Sequence, residues 1–505
     1  MTNNTIDLRA YSSENKRKND KGLVDNNEEI KVGGIEKQTL TTEADQKNKI
    51  DLGAVSYQKR AEENKTYGSV KDVPIATLEE IRVYLIDKHQ KMLQESFMNK
   101  SKRNTLTQIV SRYITKKNIV VPGFTGPELL TKIIDGVAGL GPIQPLADDL
   151  DITDIMVNGK DEVIIEKFGK EIKTDIKFSS VEELDEITMK IVNASGMTLT
   201  SAKPYVDCRF PYMRINIVNG LISGIGNVIT IRKSSPVLRI SNESMIKTGQ
   251  ANQEMLNLLE ALVRGRKNIL IVGPTGSGKT ELLKYMGGHI IESDRTIVLE
   301  DTAETFFRTL YPNKHFIPME CRFTDDEETT IDFEVLLTNL LRQNPNRAIV
   351  GECRGPEAVL MLEIFSTGHP GMTSLHSNSA PDAVNRLVMM CLRAGMKLDR
   401  ETIGKWVTSI FDVIIFQRKM EDGVRRIEEI IEVNDYVNGN LIYTPLFEFE
   451  QEKVERENGV VTNIVGKHVQ RGCLSTSSVK EILKTVETEK IYNIISQKDK
   501  EMLAI

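Results

Sequence analysis

Apolar positions along this chain fall into two rhythms, and the change from one to the other divides it. Between 76 and 145 they recur at helical spacing. Leu106, Ile109, Val110, Tyr113 and Ile114 share one helix face, and Leu129, Leu130, Ile133, Ile134 and Val137 share another. Three helices are predicted, forming a small helical bundle. The first opens at Thr77 with Glu80 as capping-box partner, and the third opens at Thr125, followed by Pro127 and Glu128. From 146 to 233 short strand-like runs take over, DIMVN, EVIIEKF, RINIV and NVITIRK, with one capped helix from Ser180 to about Val192. This reads as an α+β domain. The Ser- and Pro-bearing stretch SSPVLRISNES lies in a linker over 234–250, and a helix from Asn252 to Val263 leads out of it. Apolar runs at 268–272, 296–300, 347–351 and 411–416 then alternate with helices, the pattern of a mostly parallel sheet covered on both faces over 251–450. Residues 451–505 remain as a C-terminal extension.

Composition adds boundaries. Residues 1–75 hold no Phe or Trp and are dense in Lys, Glu, Asp, Asn and Gln, so they bury too little apolar area to offset the entropy of ordering. A disordered tail is expected there. Lys and Arg number 66 against 72 Asp and Glu, a mildly acidic balance without the electrostatic footprint of a nucleic-acid binder. The five cysteines lie far apart, with no C-x-x-C pair and no His at ligand spacing, which predicts free thiols. No apolar run approaches the ~18 residues that cross a bilayer, and the first residues lack the apolar stretch of a signal peptide. A cytoplasmic location is expected.

The sharpest chemical signal is GPTGSGKT, the pattern G-x-x-x-x-G-K-[ST], placed between the apolar strand NILIV and the helix ELLKYMGGHII. Gly273, Pro274, Thr275, Gly276, Ser277, Gly278, Lys279, Thr280 and the following Glu281 are the expected phosphate contacts. Backbone N–H groups and a helix N-terminus can converge there on phosphate oxygens, and glycines let the backbone approach. Lys279 should reach the β and γ phosphates of ATP, and Thr280 should place its hydroxyl on Mg2+. Hydrolysis also needs carboxylates. TIVLED ends a predicted strand at Glu300 and Asp301, with Glu304 one turn on, and AIVGE ends another at Glu352. Both sit where ligands bind in such sheets, at the carboxyl ends of strands. His369 and His376 lie in STGHPGMTSLHSNS at a gap that matches no standard metal spacing. A buried, hydrogen-bonded imidazole is one reading, and a donor that senses the γ-phosphate is the other.

The ordered series GPTGSGKT, TIVLEDTAE, LLRQNPNRAIVGECRG and STGHPGMTSLHSNSAPDAVNRL resembles the Walker A, Asp box, Walker B and His box of the type II/IV secretion ATPases. Upstream, GLGPIQPLADDLDITDIMVNGKDEVIIEKFGK and PYVDCRFPYMRIN followed by ITIRK resemble the tight-adherence (CpaF-like) branch, which assembles Flp-type pili. The match runs from about 125 to 450. The resemblance implies an α/β fold with a RecA-like P-loop NTPase domain behind the α+β domain. It also implies a homohexameric ATPase using ATP and Mg2+, peripheral at the inner face of the cytoplasmic membrane. Its partners would be an integral membrane platform protein and, indirectly, pilin or another secreted protein. By resemblance Glu352 takes the Walker B position as metal-shell or water-activating carboxylate, with Glu300 and Asp301 in the Asp box. Arg209, Arg214 and Arg232 would close on the phosphates as the domains rotate. Two alternatives stand beside this motor, an ATP-gated scaffold with little turnover and a RecA-like motor on nucleic acid. Lys279, Glu300 and Glu352 argue against the first, and the acidic balance argues against the second.

Overall fold

Two sheets of different construction carry the chain, one antiparallel and one mostly parallel. The computed structural model describes residues 73–504 other than Met98, Phe168 and 324–326, so the tail expected over 1–75 lies outside the described residues up to 72. Helices Ile75–Ser96, Lys100–Lys117 and Gly126–Ala138 come first and share a core that includes Ile81, Leu85, Leu106, Val110 and Ile133. The third opens on the expected box: Thr125 accepts from the Glu128 N–H, and Glu128 accepts from the Thr125 N–H at 2.9 Å. The first differs. It starts at Ile75 after Pro74, whose ring sets the backbone for helix entry, and no side chain caps it. Thr77 therefore falls inside the first turn, and Glu80 accepts from the Tyr113 hydroxyl at 3.0 Å, tying two helices together.

The smaller sheet holds β1 (Ile152–Asn158), β2 (Val163–Lys167), β3 (Lys170–Lys173), β4 (Tyr205–Phe210), β5 (Met213–Val218) and β6 (Val228–Lys233) in the order β3-β2-β1-β6-β5-β4. Alternation along β1 and β5 sends Ile155, Val157, Ile215 and Ile217 into one core with Ile187 and Ile191 of helix Val181–Ser195. That helix is capped by Ser180 and stopped by Gly196 in the left-handed region.

The larger sheet contains β7 (Ile269–Gly273), β8 (Thr296–Glu300), β9 (Phe316–Glu320), β10 (Arg347–Val350), β11 (Gly371–His376), β12 (Val413–Lys419), β13 (Arg425–Val437), β14 (Asn440–Glu457) and β15 (Val460–Gln470). Its order is β15-β14-β13-β12-β7-β11-β10-β8-β9, parallel from β12 to β9 and antiparallel beyond β12. Cores lie on both faces, which is why β7, β8 and β10 are buried at every position. This is the α/β, RecA-like P-loop arrangement. The segment from 451 is no appendage: β14 and β15 widen the sheet, and Leu474, Val479, Ile482, Ile491 and Ile494 are buried in the same core as helix Gln253–Arg264. Among the described residues no helix is long and apolar enough to cross a membrane.

Candidate nucleotide site

The loop between β7 and helix Lys279–Gly287 is shaped by a strand beside it as much as by its own glycines. A Cβ on Gly273 would stand 2.0 Å from the Gln417 carbonyl oxygen of β12. Gly278 sits at φ 92°, a conformation L side chains rarely adopt, and a Cβ there would meet Gln417 Nε2 and Arg425 Cδ at 2.9 Å. Gln417, buried beside a register shift in β12, donates through Nε2 to the Ser277 carbonyl at 2.5 Å. Arg425 Nε donates to the Gly276 carbonyl at 3.0 Å. Ser277 is fully buried and its Oγ has no hydrogen-bond partner.

Lys279 is 7% exposed, and its Nζ lies 3.0 Å from Gly273 O, 3.1 Å from Pro274 O and 3.1 Å from His376 Nδ1. The sheet order makes this meeting possible: β11 lies between β7 and β10, and His376 at its end is in register with Gly273. Burial draws the Lys279 ammonium down to about 8 against the opposing pull of Glu352. Burial, then the Lys279 charge, also lowers His376, favouring the neutral ring, and an ammonium, which can only donate, faces its Nδ1 at 3.1 Å. Nε2 lies 2.8 Å from Glu352 Oε1, but off the N–H direction, and Oε1 remains buried without a hydrogen-bond partner. Glu352 Oε2 is different. It accepts from Arg354 Nε at 2.9 Å and Nη2 at 2.6 Å.

The other expected residues divide. Thr280 reaches Glu304, Oγ1 to Oε2 3.4 Å, so the hydroxyl meets Glu304 rather than Glu300. Both oxygens of Glu300 are engaged by its own loop. Its Oε1 accepts from the Glu304 and Thr305 N–H groups at 3.0 and 2.9 Å, and its Oε2 accepts from the Thr305 hydroxyl at 2.9 Å. Burial raises its carboxyl to about 7. Asp301 receives Arg209 from β4, Nη1 on its carbonyl oxygen and Nη2 3.4 Å from Oδ1. Arg214 and Arg232 stay within the small sheet instead, Arg214 3.5 Å from Asp207, diagonal to it across β4 and β5, and Arg232 3.0 Å from Asp154, its cross-strand partner. The charge of Glu304 nevertheless acts on Arg232. Glu281 faces away from the loop, accepting from the Arg239 N–H at 3.0 Å and from Lys284 at 2.9 Å, which pins the linker to the helix. His369 precedes β11, whose opposite end carries His376, and its Nδ1 lies 3.0 Å from the Thr367 hydroxyl. Gln417 and Arg425 lie outside every motif and only the fold brings them here, whereas Arg354 stands two residues after Glu352 in the GECRG run.

The donor set suits Mg2+: the Thr280 hydroxyl, the Glu304 carboxylate and the unpartnered Glu352 Oε1 are all hard oxygens. Among the described residues no group of three or more His, Cys, Asp or Glu stands ready to hold a metal.

A family model described as Type II/IV secretion system protein matches residues 137–502. The chain belongs to that family. Its match begins in the last turn of helix Gly126–Ala138 and spans both sheets and the C-terminal helices. This type II/IV secretion system family member is 29% identical over 321 residues to the type IV secretion system protein VirB11 of Brucella suis biovar 1, covering 58% of this chain and 88% of that one. It is 27% identical over 324 residues to the conjugal transfer protein TrbB of Rhizobium radiobacter, covering 62% and 93%. An uncharacterized protein of Bacillus anthracis is 27% identical over 337 residues, covering 66% and 74%. Among solved structures, the Brucella suis VirB11 ATPase in complex with sulphate is 25% identical with a TM-score of 0.31, over 58% of this chain and 92% of that one.

Proposed function

We propose that this secretion-family chain is an ATP-hydrolysing motor and that Glu352 is the carboxylate that orients the attacking water. The observation that carries the reading is the line Lys279, His376, Glu352 at the mouth of the phosphate loop, with Glu352 Oε1 buried and unpartnered at its end. Lys279 supplies charge for the phosphates once it turns from the loop carbonyls, and Thr280 with Glu304 would hold Mg2+, which neutralises phosphate charge. Glu352 accepts the water proton as the water oxygen bonds to the γ-phosphorus and the bond to the bridging oxygen breaks, giving ADP and inorganic phosphate. His376, neutral and next to both Lys279 and Glu352, is placed to register whether phosphate is bound.

The tight-adherence branch, suggested by the motifs from 139 to 233, is the finer assignment. On that reading the chain works as a homohexamer against an integral membrane platform protein at the inner face of the membrane, moving pilin or another secreted protein. Relatives bear conjugal-transfer and type IV secretion names. The net charge of -6 favours protein over nucleic acid as the cargo. Mg2+-dependent ATP turnover of the full chain and of Glu352→Gln, with light scattering of both in ATP, tests the proposal. Turnover by a ring, and a variant that binds ATP but is slowed about 100-fold or more, is the expected result. Equal rates in the two proteins would remove Glu352 from its role.

A further inference from the structure

We infer that Arg354 is a positioning residue for hydrolysis, selecting which oxygen of Glu352 faces the reaction and coupling that choice to the small sheet through Asp301. This rests on the role given above to Glu352. Arg354 follows Glu352 by two residues beyond the end of β10, and its guanidinium folds back onto that carboxylate. Nε and Nη2 both bond the same oxygen, Oε2. A Glu side chain turns readily about its last bond, so either oxygen can enter the site. Two donors from a planar fork on one oxygen remove that freedom, and Oε1 is left toward His376 and the loop.

The remaining nitrogen ties this arrangement to a second carboxylate. Nη1 lies 3.8 Å from Asp301 Oδ2, and Asp301 is the residue that Arg209 of β4 grips. The charges of Glu352, Asp301 and Glu304 all act on the Arg354 guanidinium. One side chain thus stands between the carboxylate proposed to handle water and the only arginine of the expected three that reaches across from the small sheet to the Asp box. A displacement of Arg209 alters the field at Asp301, and Arg354 then divides itself differently between Asp301 and Glu352. The turn is built to hold it: Glu357 Oε1 accepts from the N–H groups of Arg354 and Gly355 at 2.6 and 2.8 Å. The Arg354 side chain is itself 55% exposed, so truncation leaves no core cavity, and an exposed pair of this kind contributes little to stability.

The test compares the full-length wild type with Arg354→Ala, Arg354→Lys, Glu352→Gln and the Glu352→Gln/Arg354→Ala double variant, measuring kcat, KM and ATP affinity. Arg354→Ala should lower kcat about 10- to 100-fold, as loss of a partner that orients a metal-shell ligand does. KM and affinity should change less than about threefold. Millimolar guanidinium should restore part of the lost rate to Arg354→Ala, and the double variant should match Glu352→Gln alone, because a residue acting through another adds nothing once that one is gone. Arg354→Lys keeps the charge and loses the fork; should the alanine variant melt early, the same fall in kcat at unchanged KM is expected of Arg354→Lys. Wild-type kcat in both arginine variants, a loss confined to KM, or additive losses without guanidinium rescue would overturn the inference while leaving Glu352 in place. Should Glu352→Gln turn over ATP like the wild type, the function reading fails, and the role of Arg354 falls with it.

Discussion

At the scale of single residues, two glutamates at strand ends look interchangeable in the sequence and are opposite in the structure. Glu300 spends both oxygens on its own loop, whereas Glu352 keeps one without a hydrogen bond, 2.8 Å from His376 Nε2. Periodicity locates both strand ends, but it carries no information on where a side chain's hydrogen bonds go, so it gives the two glutamates one and the same expectation. A prediction separates them. Glu300→Gln retains acceptors for the two N–H groups and can donate to the Thr305 hydroxyl, so turnover should stay within about tenfold of wild type, whereas Glu300→Ala frees the 301–305 loop and should lose far more. The variant also has a pH signature. Glu300 is raised from 4.5 to about 7 by burial, so between those values the folded chain holds a proton that the unfolded chain has released. Wild-type stability therefore falls as pH rises through this window, and the glutamine variant escapes that fall. Melting curves from pH 5 to pH 8 should show Glu300→Gln gaining on wild type as pH increases; parallel curves would refute the protonation.

At the scale of elements, the continuous apolar runs of β7, β8, β10 and β12 were legible because strands buried on both faces need them. Strand β11, with its Gly, Thr, Ser and His, was not, since close packing against Phe365 and its place between two strands demanded small residues that lack a strand signature. The C-terminal helices were missed for a related reason. Helix Thr476–Ile482 is short and offers too few turns for a periodic signal, yet Glu432 accepts from both the N–H and the hydroxyl of Ser475 and docks it, and Lys267, 4% exposed, pairs with Asp412 and Glu481. Ile482 is fully buried against the end of helix Gln253–Arg264, within reach of Gly265. Ile482→Ala should cost about 2–5 kcal/mol by denaturant unfolding. A loss below about 0.5 kcal/mol would show the segment to be a removable tail.

At the scale of the whole molecule, the small sheet and the linker that follows it touch the nucleotide side of the large-sheet domain at several separated points. Arg209 bonds Asp301, Lys419 donates to the Gly169 carbonyl at 2.8 Å, and Lys284 reaches the Ser235 carbonyl at 3.1 Å while Glu281 holds the Arg239 N–H. No spacing rule in a single chain reveals contacts between residues so far apart in sequence. Arg209→Ala should release the loop after β8, seen as faster amide hydrogen exchange over 301–305, with exchange in β7 and β10 unchanged. Unchanged protection of that loop would mean that Arg209 is a bystander. Gly273 carries a different lesson about reading motifs. Its missing side chain makes room for the backbone of β12, so the position is closed to every other residue whether or not a nucleotide ever arrives. The first letter of the phosphate-loop signature here records the neighbourhood of two strands, and a pattern search that scores it as a mark of ligand recognition counts architecture as chemistry.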